Sequence, residues 1–423
     1  MNNNKIDKEI SCMDDFDKNS ISTDQALHEI FDTISPITEY EIIPILNGLN
    51  RILGDNIKSN INVPSARNSA MDGYAINKND IPNKNTKKLK IIGKSLAGNP
   101  FTKSIKKGEC VRIMTGAVMP NSADTVVIQE HVSLSNSDTE IIIDNDTQPE
   151  ANVRQSGEDI SKGNIVLSKG KNLTPADIGL LASIGLSKIP VIRKLKVAFF
   201  STGDELRSID EELIDGEVYD SNRYTLHAML SRLNVEIIDM GVIKDDKKLL
   251  STAFNEAKEK ADLLITSGGV SVGEADYVKS ILKDHGNINF WKVAIKPGRP
   301  LTFGNLGNTL FFGLPGNPVS VMVTFYQFAQ PAIKKLSGDL SSLPLTIKVS
   351  SASRLKKKPG RVEFQRGIIE KDNNKITVRK TGSQGSGILS SMSNANCFIV
   401  LPLDSDGVEP GDLVDVQIFN GII

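Results

Sequence analysis

Apolar runs and amphipathic stretches alternate regularly between Lys196 and Leu336. Short runs such as KVAFFSTG, VEIIDMGVI, DLLITSGG and TLFFGLPG have the apolar content of strands that are buried on both faces. Longer stretches of helical period lie between and after them, namely SNRYTLHAMLSRL, DDKKLLSTAFNEAKEKA, ADYVKSILKDH and NPVSVMVTFYQFAQPAIKKL. Alternation at this spacing predicts an α/β domain built on a doubly wound parallel sheet.

The residues on either side of this region follow other patterns. Upstream, short β-like runs such as GECVRIM and DTVVIQEHV are separated by turn residues and predict an inserted β domain. Helical patterns with capping signals at Ser22 and Thr174 flank that domain. The C-terminal residues alternate again, with Gly and Pro turns, as in a small β-barrel or sandwich. The predicted domains are a disordered tail at 1–20, a helical N-terminal domain at 21–60 and 161–194, the inserted β domain at 61–160, the α/β domain at 195–340 and a C-terminal β domain at 344–423.

Composition excludes several classes of function. The 423 residues have a formal net charge of -1, so no overall field attracts nucleic acid or a membrane surface. The longest apolar stretches are too short for a bilayer span, and the first 20 residues lack the apolar core of a signal peptide. Three scattered cysteines and four scattered histidines form neither a disulfide framework nor a zinc site. We therefore expect a cytoplasmic protein with reduced thiols.

Acidic residues follow three of the predicted strands, beside glycine-rich loops. Glu205 lies in STGDEL, Asp245 follows the second strand, and Asp276 lies in TSGGVSVGEAD. Parallel strands bring their carboxyl ends to one edge of the sheet, where ligands of this fold bind. A single acid at such a position is commonly a helix cap. Three acids beside loops that offer N–H groups to phosphate instead favour Mg²⁺ held between carboxylates and a bound anion.

A cationic stretch and a second glycine loop complete this pattern. Lys292, Lys296 and Arg299 lie in FWKVAIKPGRP, next in sequence to the α/β strands, and favour a second anion such as an oxyanion or phosphate. The loop GLPGNPVS has the glycines for close backbone approach and a proline that starts a helix, although a plain strand–turn–helix fits it equally well. Neither GxxxxGK[ST] nor GxGxxG occurs, which excludes an ordinary P-loop ATPase or dinucleotide dehydrogenase.

Taken together, these motifs resemble a known family. TSGGVSVGEADY, IKPGRP and GLPGNPVS are similar to the molybdopterin-binding fold of molybdenum-cofactor biosynthesis proteins. NSAMDGYA, RIMTGAVMP, RQSGEDI, STGDEL, GRVEFQRG and ILSSMSNANCFIVLP resemble the bacterial MoeA family of molybdopterin molybdenumtransferases. The resemblance extends over roughly residues 20–420, with the motifs in the family's order.

The resemblance implies a reaction and a set of site residues. The family inserts molybdate into adenylated molybdopterin, releases AMP and needs Mg²⁺ or a similar ion. Carried over motif by motif, the acidic, metal-associated and catalytic group is Glu205, Asp245 and Asp276, with Lys292 and Lys296 also catalytic. The implied substrate-binding residues are Ser267, Gly268, Gly269, Arg299, Pro315, Gly316, Pro318, Ser320, Arg361 and Ser393, together with Asp72, Thr115, Arg154 and Asp159.

The resemblance also implies partners and leaves alternatives. Family members are homodimers whose site is completed across subunits. The resemblance therefore implies that the α/β domain of a second subunit faces Asp72, Thr115, Arg154 and Asp159. Contact with the adenylyltransferase and with molybdoenzyme maturation proteins is a further expectation, whereas no nucleic acid or membrane partner is expected. The alternative functions are the sibling molybdopterin adenylyltransferase, which shares only the α/β unit, and a non-catalytic scaffold.

Overall fold

The computed structural model describes residues 20–135, 138–269, 281, 287–339, 343–372 and 375–419. These residues fall into two compact units. Unit 1 contains Met1–Glu41 and Ile192–Ile423, and unit 2 contains Ile42–Val191. Each unit has its own hydrophobic clusters.

Two helices begin at the capping residues that the sequence predicts. Ser22 Oγ accepts from Gln25 N at 3.0 Å, and Thr174 forms a capping box with Asp177, as their sequence signals predict. The α-helices are α1 (Thr23–Thr33), α2 (Pro175–Ser183), α3 (Ser221–Ser231), α4 (Lys247–Lys260), α5 (Pro318–Thr324), α6 (Gln330–Leu336) and α7 (Leu389–Ser393), with a π-helical turn at Phe325–Ala329 and 3₁₀ turns at Ile45–Asn47, Lys78–Asp80 and Gln129–His131.

Most of the strands are short. In chain order they are β1 (Tyr40–Pro44), β2 (Ile57–Lys58), β3 (Asn68–Ser69), β4 (Gly73–Ile76), β5 (Lys87–Ser95), β6 (Glu109–Ile113), β7 (Thr125–Ile128), β8 (Ser133–Leu134), β9 (Glu140–Ile143), β10 (Val153–Arg154), β11 (Ile165–Leu167), β12 (Lys188–Ile192), β13 (Lys196–Thr202), β14 (Leu206–Arg207), β15 (Val218–Tyr219), β16 (Glu236–Ile243), β17 (Leu263–Ser267), β18 (Asn287–Lys292), β19 (Ile295–Lys296), β20 (Pro300–Leu306), β21 (Thr309–Leu314), β22 (Thr346–Ser351), β23 (Leu355–Lys356), β24 (Val362–Asp372), β25 (Lys375–Lys380), β26 (Cys397–Leu401), β27 (Gly407–Val408) and β28 (Leu413–Ile418).

The α/β sheet of unit 1 has six strands in the order β16-β13-β17-β21-β20-β18. The first four are parallel, as the alternating pattern predicts. β20 and β18 are antiparallel additions at one edge. The cationic stretch around Lys292, for which no strand is predicted, forms β18, and β19 follows it. No helical pattern follows this segment, so the strand–helix alternation that predicts the other strands does not predict this one.

Helices cover both faces of this sheet. Phe199, Ile265 and Phe312 point to one side and pack with α1, α3 and α5, whereas Ala198 and Phe311 point to the other and pack against α4. Successive residues of a strand point to opposite faces, so β13 and β21 supply both cores. The predicted doubly wound architecture is confirmed.

The C-terminal β domain is a closed barrel. β24, β25, β22, β28 and β26 pair in that order, and β26 pairs again with β24. β19 adds to β24 in parallel, with Ile295 opposite Val362 and Lys296 opposite Glu363. Closure removes the free strand edges of the ring. The barrel alternative of the two predicted from sequence is therefore confirmed.

Unit 2 is mainly β structure. Its largest sheet has the order β7-β4-β6-β5-β9-β8, and the ribbons β2–β11 and β3–β10 lie beside it in the chain. α2 packs in a separate cluster with Leu53, Leu173 and Val191. Cys110 is buried in this unit, and burial raises the pKa of its thiol to about 12, which keeps it protonated.

Helix α1 belongs to unit 1, although the sequence predicts it in a helical N-terminal domain together with the residues up to 60. α1 contributes Ala26, Ile30 and Ile34 to the main core of unit 1. Lys335 Nζ donates to Phe31 O at 2.6 Å. The segment 40–60, predicted as helical, contains short strands and a 3₁₀ turn. In the part of the chain that the structure describes, no helix is long and apolar enough to cross a membrane.

Candidate active site

A cavity of about 1820 Å³ lies in unit 1, at the carboxyl ends of the parallel strands and against the barrel. Its α/β wall comes from the residues that follow β13, β17 and β21, and from the link between β19 and β20. Its barrel wall comes from the residues around β23 and β27 and from residues 384–386. Binding at the carboxyl edge of such a sheet is the position that the topology predicts.

Two glycine loops approach each other at the α/β wall. Gly268 has φ +86°, and a Cβ there would lie 2.4 Å from Thr202 O. A Cβ on Gly316 would lie 3.9 Å from Gly268 Cα. Ser267 supports the loop, because its Oγ is 3.0 Å from Ser201 Oγ on the neighbouring strand. Glycine at position 268 is therefore required by both backbone conformation and space.

Two of the three predicted acids reach this cavity. Glu205 and Asp245 both line it. Asp245 Oδ1 accepts a short hydrogen bond from Thr202 Oγ1, and its backbone N donates to Asp204 Oδ1 at 3.2 Å. Asp276 lies outside the described residues. Among those that are described, no group of three or more His, Cys, Asp or Glu side chains could hold a metal ion.

The predicted cations divide into two sets. Lys296, Arg299 and Arg361 line the cavity. Lys296 Nζ is 3.4 Å from Glu363 Oε2, a carboxylate that is itself buried in the barrel. Lys292, at the end of β18, is not one of the residues that line the cavity, and its carbonyl accepts from Ile21 N at 3.0 Å.

The remaining predicted residues of unit 1 shape the turn after β21. Pro315, Gly316, Pro318 and Ser320 line the cavity, and Pro318 is the first residue of α5. Ser320 is buried, and its carbonyl accepts from Thr324 Oγ1 at 2.8 Å. Ser393 ends α7, is exposed and does not line this cavity.

Four predicted residues belong to unit 2. Asp72 accepts from Thr115 N at 2.7 Å and from Thr115 Oγ1 at 2.8 Å. These two hydrogen bonds stabilise the ionised carboxylate and hold the pKa of Asp72 below its usual range. Arg154, on β10, and Asp159 are both exposed. The cavity described above is lined by residues of unit 1.

The barrel wall is more basic than the motifs alone indicated. The wall is lined by Arg354, Lys356, Lys357 and Lys358. They lie in the run RLKKKPGR, of which only Arg361 is a predicted site residue. Lys357 differs from its neighbours because it is buried and donates to three carbonyls, at 3.0–3.2 Å. Burial lowers its pKa. A run of basic residues in the sequence could therefore have indicated this wall of the cavity. It does not distinguish the buried Lys357 from its exposed neighbours.

A buried arginine holds the loop at the top of this wall. Arg366 is 1% exposed. It donates from Nε to Ser391 Oγ at 3.0 Å and from Nη2 to Gly385 O at 2.9 Å, and Gln384 Oε1 accepts from its backbone N at 2.8 Å. Burial lowers the pKa of Arg366 to about 10. Its partners include two of the residues that line the cavity, so it positions the wall without reaching the cavity itself.

Comparison with known proteins gives consistent matches along the chain. Residues 21–185 match the MoeA N-terminal region (domains I and II), residues 198–335 match a probable molybdopterin-binding domain, and residues 348–419 match the MoeA C-terminal region (domain IV).

Relatives and a solved structure match over nearly the full length. A molybdopterin molybdenumtransferase of Haemophilus influenzae is 44% identical over 405 residues, covering 95% of this chain and 100% of that protein. One from Nostoc sp. is 35% identical over 388 residues, covering 89% of this chain and 88% of that protein. The crystal structure of a molybdopterin biosynthesis MoeA protein from Pyrococcus horikoshii matches with TM-score 0.83 and 28% identity, over 95% of this chain and 100% of that one.

Proposed function

The chain belongs to the MoeA family, and on this premise we propose that it is a molybdopterin molybdenumtransferase that inserts molybdate into adenylated molybdopterin and releases AMP. One observation carries the proposal. A single cavity combines glycine loops, the carboxylates Glu205 and Asp245 at the strand ends, and a barrel wall rich in lysine and arginine. A phosphoanhydride and a tetrahedral oxyanion are both anions, and their approach requires this kind of neutralisation.

The glycine loops and the cations would divide the work of binding. Ser267, Gly268 and Gly269 would hold the phosphates, because a loop of this conformation brings the backbone close to a ligand. Lys296, Arg299 and Arg361 would hold the oxyanion and oppose the charge that develops as the anhydride breaks. Lys296 would exchange its contact with Glu363 for one with the bound anion.

Mg²⁺ is part of the proposal. Glu205 and Asp245 both lie on the cavity wall, and Mg²⁺ is commonly held by one or two carboxylates together with substrate phosphates, so this pair would hold the ion once the substrate is bound. Asp276 would be the third carboxylate. The ion would neutralise the phosphate oxygens, and Thr202 would orient Asp245 through their hydrogen bond.

The experiment that tests this function measures AMP release from adenylated molybdopterin. The purified protein would be assayed with and without molybdate and Mg²⁺, beside Asp245→Asn and Asp276→Ala. AMP release that requires both ions and is lost in the variants is the expected result. Consumption of ATP with free molybdopterin and no AMP release would indicate the adenylyltransferase, and inactivity of the folded protein toward both substrates would favour the scaffold.

We also propose that the protein works as a homodimer in the cytoplasm. Asp72, Thr115, Arg154 and Asp159 would then complete the cavity of a second subunit, and docking of the adenylyltransferase or of maturation proteins would pass the substrate and product between sites. Mixing Asp72→Ala with Asp245→Asn subunits would test the shared site. Recovered AMP release in the mixture supports it, whereas activity that never exceeds that of the separate variants contradicts it.

A further inference from the structure

A buried carboxylate of the barrel contacts a cation of the cavity wall. Glu363, on β24, is 6% exposed, and its Oε2 lies 3.4 Å from Nζ of Lys296. Lys296 lines the cavity, whereas Glu363 does not. A buried carboxylate costs free energy unless cations and hydrogen-bond donors surround it. The pair therefore joins a charge fixed inside the barrel to a charge that a ligand in the cavity would meet.

The fold holds Glu363 in place from two sides. β19 pairs in parallel with β24, and Lys296 is the residue opposite Glu363 in that register. Gln365, which is 3% exposed and lies two residues further along β24, donates from Nε2 to Glu363 Oε1 at 3.0 Å. The same amide donates to Lys356 O at 3.1 Å. One carboxylate oxygen is thus bound by a buried amide, and the other contacts the ammonium group of Lys296.

Glu363 also offsets the charge of two further cations in the barrel. Burial lowers the pKa of Lys357 and of Arg366, and the negative charge of Glu363 acts against burial at both. The positive charge of Lys296 lowers the pKa of Lys357 in addition, as a like charge does. Lys296 and Lys357 both line the cavity. Without Glu363, this wall would therefore present more uncompensated positive charge to an anion.

We propose that Glu363 is an internal counter-ion, a positioning residue that holds Lys296 while no ligand is bound and competes with bound anions for it. The inference rests on the proposed function, in which Lys296 leaves Glu363 for an anionic ligand. The Lys296 side chain is 47% exposed and can change its contact, whereas the Glu363 side chain is 9% exposed and stays in the barrel. Every anion that binds Lys296 must displace this contact. The affinity of the cavity for its products is lowered accordingly, which favours their release.

The test uses Glu363→Gln, which removes the negative charge with little change in size. Isothermal titration would measure the affinity of the full chain for AMP and, separately, for molybdate. We expect the ligand that contacts Lys296 to bind about three- to fivefold more tightly at low salt. High salt should reduce the gain, because dissolved ions screen exposed charges. A purely structural role for Glu363 predicts the opposite sign, since a disordered wall binds a ligand more weakly.

Two matched variants separate a local effect from an overall change in charge. Asp415 pairs with Lys348 at 3.0 Å in the same barrel, and neither residue lines the cavity. Asp415→Asn removes the same charge as Glu363→Gln and should leave both affinities unchanged. When Glu363→Gln is introduced into a Lys296→Gln protein, the affinities should change by less than about twofold, because no cation remains to be released.

Each outcome of these titrations decides the inference. A gain for either ligand that disappears in the Lys296→Gln background supports it. Unchanged or weaker binding of both ligands in folded Glu363→Gln overturns it and leaves the proposed function standing, and so does a gain that Asp415→Asn shares. Glu363→Met, which buries no polar group in need of a partner, decides the question if Glu363→Gln does not fold. Wild-type protein that binds neither AMP nor molybdate overturns the inference and the proposed function together.

Discussion

The two walls of the cavity are built by different physical means. The α/β wall depends on backbone conformation, with glycine at 268 because its Cβ would meet Thr202 O. The barrel wall depends on buried polar side chains, in which Arg366 and Glu363 hold residues that reach the cavity. A change on the first wall acts at one loop. A change on the second acts through the packing of a domain and alters stability as well as binding.

The largest expected effect is at the α/β wall. Gly268→Ala would place a Cβ 2.4 Å from a backbone carbonyl in a left-handed conformation, so the loop must move. We expect AMP release to fall by about 100-fold or more, in line with the effect of a small misplacement at a reacting centre. Gly98→Ala is the control, since φ is +78° but nothing lies within 4 Å. Equal activities in the two variants would show that space at 268 does not matter.

The second effect tests the barrel wall through stability. Arg366→Met removes the hydrogen bonds to Ser391 and Gly385 that a 1% exposed side chain makes, and so unties the loop from the barrel. We expect the free energy of unfolding to fall by about 3 kcal/mol, measured by urea denaturation. Arg379→Met, an exposed residue of the same barrel, should change it by less than about 0.5 kcal/mol. A similar small change in both variants would mean that Arg366 is replaceable by packing.

The third prediction concerns how the stability of the α/β domain depends on pH. Asp262, at the start of β17, is bound by both Nη atoms of Arg193 at 2.7 and 2.9 Å. Burial raises the pKa of Asp262, but hydrogen bonds from Arg193 and from Lys196 N lower it by more, so it lies below the ordinary value of 3.8. Because the pKa of Asp262 is lower in the folded than in the unfolded protein, its ionised carboxylate stabilises the fold at pH values above the unfolded pKa. That stabilisation is lost as the pH falls through the folded pKa.

Asp262→Asn should therefore destabilise the protein by about 1–2 kcal/mol at pH 7. The difference from the wild type should shrink below about pH 4, as followed by denaturation across pH. Glu370→Gln breaks an exposed pair in the barrel and serves as the control. A difference that is independent of pH would rule out the charge of Asp262 as its source.

The smallest effect concerns the exposed cations of the barrel wall. Lys356→Ala removes one charge from the cavity lining, and we expect AMP or molybdate to bind about two- to threefold more weakly at low salt. High salt should remove the difference, because exposed charges are screened. Lys380→Ala, also exposed in the barrel but not lining the cavity, should have no effect. A loss that persists in high salt would indicate a direct contact instead.

Sequence patterns predicted the α/β wall better than the barrel wall. Strand ends followed by glycines and acids have a fixed place in a parallel sheet, so Gly268, Glu205 and Asp245 could be located from topology. Arg366 and Glu363 could not, because their burial follows from barrel closure between residues distant in sequence. β18 was missed because an antiparallel edge strand lacks the strand–helix alternation.

The stretch from Lys292 to Lys296 has a consequence for dissecting the molecule. On one side Ile21 N donates to Lys292 O and Ala294 N donates to Ile21 O, and on the other Val362 N donates to Ala294 O, at 2.8–3.0 Å. The short segment Lys292–Lys296 is thus hydrogen-bonded on one side to the N-terminal chain and on the other to the barrel. A fragment limited to residues 195–340 would lose both neighbours and expose this backbone as a raw edge. A chimaera with a related protein should therefore exchange the N-terminal chain, the α/β domain and the barrel together.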